Sequence, residues 1–375
     1  MIYLDYAATT PMSDNALHIY TKAAKSAFGN SSSLHDIGEI SAKTLHASRK
    51  IIGDSIGGNE KGVYFTSGGS EANIVAVQSL LNGLDSNKKH LITTVMEHSS
   101  LFTYFKKLES EGFEVTFLSP DKYGNISLSS VKKAIKSDTG LVSIQHGNSE
   151  IGSIQPIEEI GLSLKEMGII FHSDCVQTFG KIPLNVTNID AISISSHKIY
   201  GPKGIGAAYI NPSIHWHPVI PGTTHEFGFR PGTVDVPAAA AFATAANDIM
   251  TNRNDFYNHY QKLKNLFIEL LQPYKEKITI LNWDDKFHSL PNILPIMVKG
   301  IEGQYVMLEC NRFGFAVSTG SACQVGMQAP PKSVVALGYS DQEAKQFIRA
   351  SFGKDTTEEH IRRFTDILIR IVENF

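Results

Sequence analysis

A chain of 375 residues with 42% hydrophobic and 19% charged side chains can bury a large interior, which excludes a disordered protein and favours two domains over one. The formal net charge of -3 shows no broad basic field, so a nucleic-acid role has little electrostatic support. Three cysteines form no disulfide framework, and no apolar stretch reaches the length needed to cross a bilayer. The start, MIYLDYAATTPMSD, has neither a basic n-region nor an apolar h-region, and the expectation is a cytoplasmic enzyme.

From about residue 60 to 210, short β-rich runs alternate with helical patterns. The runs are GVYFT, KHLITTV, FEVTFLS, LVSIQ, GIIFHSD, AISIS and IGAAYI, with helix-like segments such as EANIVAVQSLLNGL and IEEIGLSLKEMG between them. Strand–helix–strand repetition predicts an α/β domain with a mostly parallel central sheet flanked by helices. A long helical pattern, NDFYNHYQKLKNLFIELLQ, then leads into a segment of mixed character. The boundaries expected are a large domain over residues 16–250 and a smaller α+β domain from 1–15 and 251–375. In the closing TTEEHIRRFTDILIRIVENF, Thr356 and Glu359 have capping-box spacing, and Ile361, Phe364, Ile367, Leu368 and Ile371 form one apolar face that suits core packing.

In open α/β sheets, ligands sit beyond the carboxyl ends of the strands. Five polar positions fall where chemistry is possible. YFTSGGSEAN places Gly68, Gly69 and Ser70 between a strand and a helix start, a cradle for phosphate or carboxylate, although an ordinary capped turn accounts for it equally well. Its spacing is neither Walker A nor the dinucleotide fingerprint. Asp174 closes the run in FHSDCVQTFG and can keep a ring nitrogen protonated; alone, it also reads as a helix N-cap. Gln177, three residues on, can face the same ligand, and Cys175 reads as packing. His98 in TTVMEHSS can stack on a ring and relay protons, or be structural.

Lys198, in ISSHKIYGPKG, is either a solvated charge or a nucleophile kept from water; Lys203 reads as solvent-facing. Cys323 lies among small residues in STGSACQVGMQAPP, a context that suits an accessible, reactive thiol on a mobile loop, whereas Cys310 reads as buried and inert. Arg349 in QFIRASFG can clasp a carboxylate through two parallel hydrogen bonds, or lie on the surface. Taken singly, each position has an ordinary structural explanation. Together they supply a phosphate cradle, a pyridinium partner, a ring-stacking imidazole and a Schiff-base amine, which is the inventory for pyridoxal phosphate.

Read end to end, the chain resembles the cysteine desulfurases of the class V aminotransferase fold. The resemblance runs through YLDYAATTP, FGNSSSLH, FTSGGSEAN, MEHSS, NSEIG, HSDCVQTFGK, SSHKIYGPKG, RPGT, STGSAC and RASFG. The GSAC context is similar to the subgroup with the longer, mobile cysteine loop. It implies a pyridoxal 5'-phosphate-dependent transferase of fold type I that turns L-cysteine into L-alanine. Lys198 would hold the cofactor covalently, Asp174 would pair with its ring nitrogen, His98 would stack on the ring and Gln177 would bond its phenolic oxygen. Gly69, Ser70, Ser195 and His197 would hold the phosphate, and Thr233 would reach the phosphate of the other subunit, since the family is dimeric. Arg349 would bind the substrate carboxylate, and Cys323 would receive sulfur and deliver it to an acceptor protein, such as an iron–sulfur scaffold or target enzyme.

Two departures from the family pattern stand out. Ser149 replaces the second asparagine of the usual NNE motif, where contact with the cofactor is expected, and Phe227 stands where arginine is common. The nearest rivals are a selenocysteine lyase or another enzyme of the same fold; a cofactor-free scaffold protein is a rival of a different class.

Overall fold

The structure is a computed structural model that describes residues 1–281, 289–320 and 329–375. The chain opens with β1 (Ile2–Tyr3), α1 (Asp14–Ser26) and α2 (Asp36–Ser55). The alternating region follows as β2 (Val63–Thr66), α3 (Gly69–Asn82), β3 (His90–Thr94), α4 (Ser99–Ser110), β4 (Glu114–Leu118), α5 (Leu128–Ala134), β5 (Thr139–Ser143), α6 (Ile157–Glu166), β6 (Ile170–Asp174), β7 (Ala191–Ser195) and β8 (Gly206–Ile210). These strands pair in the order β2-β8-β7-β6-β5-β3-β4. The sheet is parallel except at β8, which runs antiparallel to both of its neighbours.

The apolar runs read as continuous because helices cover both faces of the sheet, and successive residues serve opposite layers. Phe65, Ile92, Val142, Ile192 and Ala207 join one core, together with residues of α1, α2, α6 and α7 (Val236–Thr251). Their neighbours Tyr64, Leu91, Leu141, Ala191 and Ala208 join another, against α3 and α4. The alanine-rich α7 starts from Asp235, whose carboxylate accepts the Ala238 N–H, and its small side chains let it bury most of its length.

After α8 (Arg253–Leu271) come β9 (Ile278–Ile280), β10 (Ile293–Val298), α9 (Gly303–Arg312), β11 (Phe315–Ala316), α10 (Lys332–Ala336), α11 (Asp341–Ala344), β12 (Phe347–Ser351) and α12 (Glu358–Asn374). β9, β10 and β12 form an antiparallel sheet. Leu294, Ile296 and Ile348 from it pack with Phe267 of α8 and with Phe364 and Leu368 of α12. β1 pairs in parallel with β11.

The apolar face expected of the last helix is the one it buries, but its cap lies one residue later than the sequence spacing suggests. Thr357, not Thr356, is the N-cap; its side chain accepts the His360 N–H, and His360 Nδ1 accepts the Thr357 N–H. Thr356 Oγ1 is already engaged, by the Gly353 N–H. Among the described residues no helix is long and apolar enough to cross a membrane.

Candidate active site

Parallel strands converge their carboxyl ends on one side of the sheet, and the polar residues expected to act lie there. Asp174 ends β6, Ser195 ends β7, and Lys198 follows on the short 3-10 turn Ser196–Lys198. His98 caps α4 just after β3. A cavity of about 220 Å³ is lined by Gly69, Ser70, His98, Ser149, Asp174, Gln177, Ser195, His197, Lys198 and Arg349, along with Ala7, Ala8, Asn73, Gln145, Gly147 and Val176. Of the sequence-predicted site residues among those described, only Thr233 stands apart; it is exposed and does not line this cavity. Cys323 lies outside the described residues.

The amine of Lys198 is held by two backbone carbonyls. Its Nζ donates to the carbonyl oxygens of Ala7 at 2.6 Å and Ala8 at 2.8 Å. Those carbonyls are brought in by the N-terminal segment, which is stitched over the site: Ala7 N donates to Ser351 Oγ, and Thr10 N and Oγ1 both donate to the His197 carbonyl. Tyr200, two residues beyond the lysine, adopts a left-handed backbone with φ 68°, and its N–H is secured by Thr10 Oγ1 at 2.7 Å. Such strain in a residue with a bulky side chain persists only where its surroundings fix it, and here the fixing contacts also locate Lys198.

Asp174 is buried, and each of its oxygens accepts one hydrogen bond. Oδ1 accepts the Val176 N–H at 2.9 Å, and Oδ2 accepts Asn73 Nδ2 at 2.7 Å. Asn73 also donates to Ser100 Oγ at 3.2 Å, and that oxygen lies 2.8 Å from His98 Nδ1. Because Nδ1 accepts the Ser100 N–H at 3.2 Å, a neutral His98 carries its proton on Nε2. One chain of hydrogen bonds thus runs from the carboxylate to the imidazole.

At the other end of the cavity, α3 begins at Gly68 with no side-chain cap, so its first N–H groups face the cradle. A side chain at Gly69 would meet Val176 Cγ2 at 2.6 Å; only glycine lets the helix start approach so closely. His197 lines the same end, and burial, with the charges of Lys198, Lys203 and Lys181 adding to it, pushes its imidazole down to about 4. It therefore acts there as a neutral hydrogen-bonding group. Lys203 is exposed and lines only the outer mouth.

Arg349 sits in β12, almost wholly buried, with Nη2 on Asp5 Oδ1 at 2.7 Å and Nη1 on the Ser149 carbonyl at 2.8 Å. The strand carrying it exchanges both backbone bonds with Ser318, which precedes the cysteine segment. On the far side of that segment, Ser333 accepts from Asn148 Nδ2 at 2.9 Å. Ser149 meets the cavity, while its carbonyl positions Arg349.

The second departure from the family pattern has a local explanation. Phe227 is 70% exposed, and its ring centroid stands 5.1 Å from the Arg49 guanidinium carbon. That guanidinium is buried against Glu226 through two bonds of 2.7 and 2.8 Å, and Glu226 also accepts the Phe65 N–H. An aromatic face at 227 covers a cation where an arginine would repel it. Cys175 and Cys310 are buried, as expected; burial pushes the Cys175 thiol far up and the Cys310 thiol up to about 12, so neither is a nucleophile at neutral pH.

Asn73, Asp5 and the Ala7 and Ala8 carbonyls were not singled out by the sequence reading. For Asn73 a signal exists: it lies three residues after Ser70 on α3, and that spacing puts both on one helix face. Nothing in the sequence marks two alanines as acceptors for a lysine about 190 positions away.

Residues 2–364 match the family model for aminotransferase class-V. The putative cysteine desulfurase NifS of Bacillus subtilis (strain 168) is 48% identical over 365 residues, covering 97% of this chain and 92% of that protein. Among solved structures, a NifS-like protein superposes with a TM-score of 0.92 at 28% identity, with 100% of both chains covered. SspA, solved in complex with cysteine, gives 0.81 at 31% identity, covering 94% of this chain and 99% of that one. Likeness along almost the whole length, with a lysine, an aspartate and an arginine gathered on one cavity, has a single reading: the chain belongs to the class-V aminotransferase family and, within it, to the cysteine desulfurases.

Proposed function

We propose that this chain converts L-cysteine to L-alanine and passes the sulfur to Cys323 as a persulfide, using pyridoxal 5'-phosphate held in the Lys198 cavity. The observation that carries this reading is the convergence of Lys198, Asp174, His98 and Arg349 on one cavity. The residues suit the cofactor. The buried Ser195 Oγ has no protein partner among the described residues and borders the glycine cradle, as a phosphate ligand would. Asp174 offers a buried carboxylate for a protonated ring nitrogen, and SspA, with a similar fold, was solved in complex with cysteine.

When bound, pyridoxal phosphate supplies an electron sink for charge developing at the substrate Cα. Every other task falls to the chain. Lys198 Nζ would hold the cofactor and then, released by substrate, take the Cα proton and return it. Asp174, anchored by Asn73 and Val176, would keep the ring nitrogen protonated. His98 would lie on the ring, Gln177 would bond its phenolic oxygen, and Gly69, Ser70, Ser195 and His197 would hold its phosphate. Arg349, already braced by Asp5 and Ser149, would orient the substrate carboxylate.

Cys323, as thiolate, would attack the substrate sulfur. A sulfur–sulfur bond forms, the Cβ–S bond breaks, and its electron pair stays with Cβ, which takes up a proton. Sulfur is oxidised to the sulfane level as Cβ is reduced, so no outside oxidant is needed. The described residues flanking the cysteine segment, Ser318 and Ser333, bond to Arg349 and Asn148, which supports delivery of Cys323 to this cavity. Further parts of the reading are a homodimer in which Thr233 serves the partner's cofactor, a small domain of residues 1–15 and 251–375 carrying the cysteine, and a sulfur-accepting protein as the downstream partner.

The test is to incubate the purified coloured protein with L-cysteine, quantify alanine and map the persulfide by mass. Equal alanine and persulfide on Cys323 are expected in a single turnover. Cys323→Ser should keep the colour and lose both products; alanine formed by that variant at the native rate would overturn the assignment of the nucleophile.

A further inference from the structure

A second lysine lies beneath the site. Lys181 follows Gly180, whose left-handed φ of 76° reverses the chain so that the lysine folds back under Gln177. The side chain is buried, and its Nζ donates to Gln177 Oε1 at 3.0 Å and to the Gln177 carbonyl at 2.9 Å. Among the described residues no carboxylate forms an ion pair with it. The charged groups that face it are Lys198, on the turn after β7, and Arg349 of β12. A buried amine with no counter-ion is a costly way to satisfy one amide, so what it does for Gln177 matters.

A protonated amine only donates and a backbone carbonyl only accepts. Gln177 lies between one of each: Oε1 toward Lys181, and Nε2 toward the Ala7 carbonyl at 2.8 Å. Both neighbours dictate the same orientation of an amide that could otherwise flip. Ala7 takes one hydrogen of Nε2, and the other is left for the cavity that Gln177 lines. The Ala7 oxygen is also the one that holds Lys198 Nζ, so Lys181, Gln177, Ala7 and Lys198 form a single relay.

We propose that Lys181 is a positioning residue: through Gln177 it directs an N–H, rather than the amide oxygen, toward the phenolic oxygen of the bound cofactor. This rests on reading the cavity as a pyridoxal phosphate site. Burial, followed by the charges of Lys198 and Arg349, pushes the Lys181 amine down to about 7. A donor on the phenolic oxygen stabilises its anion and weakens that anion's hold on the neighbouring lysine-derived nitrogen's proton.

The experiment titrates the visible absorbance of the loaded protein against pH, without substrate, for the parent, Lys181→Met, Lys181→Arg, Gln177→Ala and the double variant Lys181→Met with Gln177→Ala. Lys181→Met should move the colour change upward by about one pH unit, the worth of one charge-assisted hydrogen bond. Lys181→Arg, also donor-only, should restore it. The decisive comparison is the double variant, which should titrate like Gln177→Ala alone. If Lys181→Met shifts the titration just as far in the Gln177→Ala background, the lysine acts by charge alone and the proposal falls. An unchanged titration in Lys181→Met also overturns it. Should Lys181→Met fail to fold, Lys181→Gln tests the same relay, because its amide can turn an acceptor as well as a donor toward Gln177. An unshifted colour change there contradicts the proposal. A parent protein that takes up no cofactor refutes the functional reading instead, so the two failures are distinct.

Discussion

Asn73 Nδ2 donates to Asp174 Oδ2 at 2.7 Å, and its other hydrogen reaches Ser100 Oγ at 3.2 Å. One buried amide on α3 therefore orients both the Asp174 carboxylate and, through Ser100, the imidazole of His98. Asn73→Ala removes a hydrogen bond to a buried charged group, worth about 1.5–3 kcal/mol. Cofactor dissociation, followed by loss of visible absorbance on dilution, should become at least about tenfold faster. Asn73→Asp should be worse, because it sets two carboxylates against each other.

Arg349 is braced before any substrate arrives. Asp5 and the Ser149 carbonyl each hold one terminal nitrogen, which fixes the plane of the guanidinium. Arg349→Lys keeps the charge but loses the fork, and KM for L-cysteine should rise about 10- to 100-fold with the cofactor spectrum unchanged. Asp5→Asn should raise KM by a smaller factor. Steady-state kinetics beside an absorbance spectrum separates loss of substrate affinity from loss of cofactor.

The Arg49–Glu226 pair is a structural counterpart, away from the cavity. Both side chains are buried, and Glu226 also accepts the Phe65 N–H. Arg49→Leu leaves a carboxylate without its cation and should cost about 3–5 kcal/mol in denaturant unfolding. Phe227→Arg, which restores the residue common in the family, should cost about 0.5–1 kcal/mol, because it trades a ring over Arg49 for a second positive charge.

Stability against pH follows from three histidines held neutral. Burial pushes His146 down to about 4 and His172 to about 3; burial with neighbouring lysines takes His197 to about 4. In the unfolded chain each binds a proton near pH 6.5, which the native state refuses until pH 4 or below. Stability is therefore present above pH 6.5 and is lost as pH falls toward 4. Glu97 opposes this: burial pushes its carboxyl up to about 8, so its contribution is lost as pH rises from 4.5 to 8. Three groups outweigh one, and acidification should destabilise. His172→Gln, which can still bond Ser143 and Ser193, should reduce the slope between pH 6 and 4.5 by about 1 kcal/mol per pH unit.

The sheet was legible because most of its strands are buried along their length and rich in apolar residues, as in Val63–Thr66 and Gly206–Ile210, while the edge strand Glu114–Leu118 is the more exposed one. His98, Asp174, Ser195 and Lys198 were legible for the complementary reason: each is polar where such a run stops. The supports were not. Ala7 and Ala8 act through backbone oxygens, which any residue provides, and Asp5 reaches Arg349 across 344 positions. Lys181 carries a local trace, four residues after Gln177, but the turn at Gly180 that folds it inward has no periodic signature. The cap of α12 was misplaced by one residue because Thr356 and Thr357 are adjacent, and only the tertiary bond from Gly353 decides between them.

The central claim is that the amine at position 198 holds the cofactor. Reduction of the coloured protein with borohydride, followed by digestion and peptide mass mapping, tests it directly. The account predicts a phosphopyridoxyl group on the peptide containing Lys198 and none on Lys181 or Lys203. A group fixed to either of those lysines, with Lys198 unmodified, would contradict it.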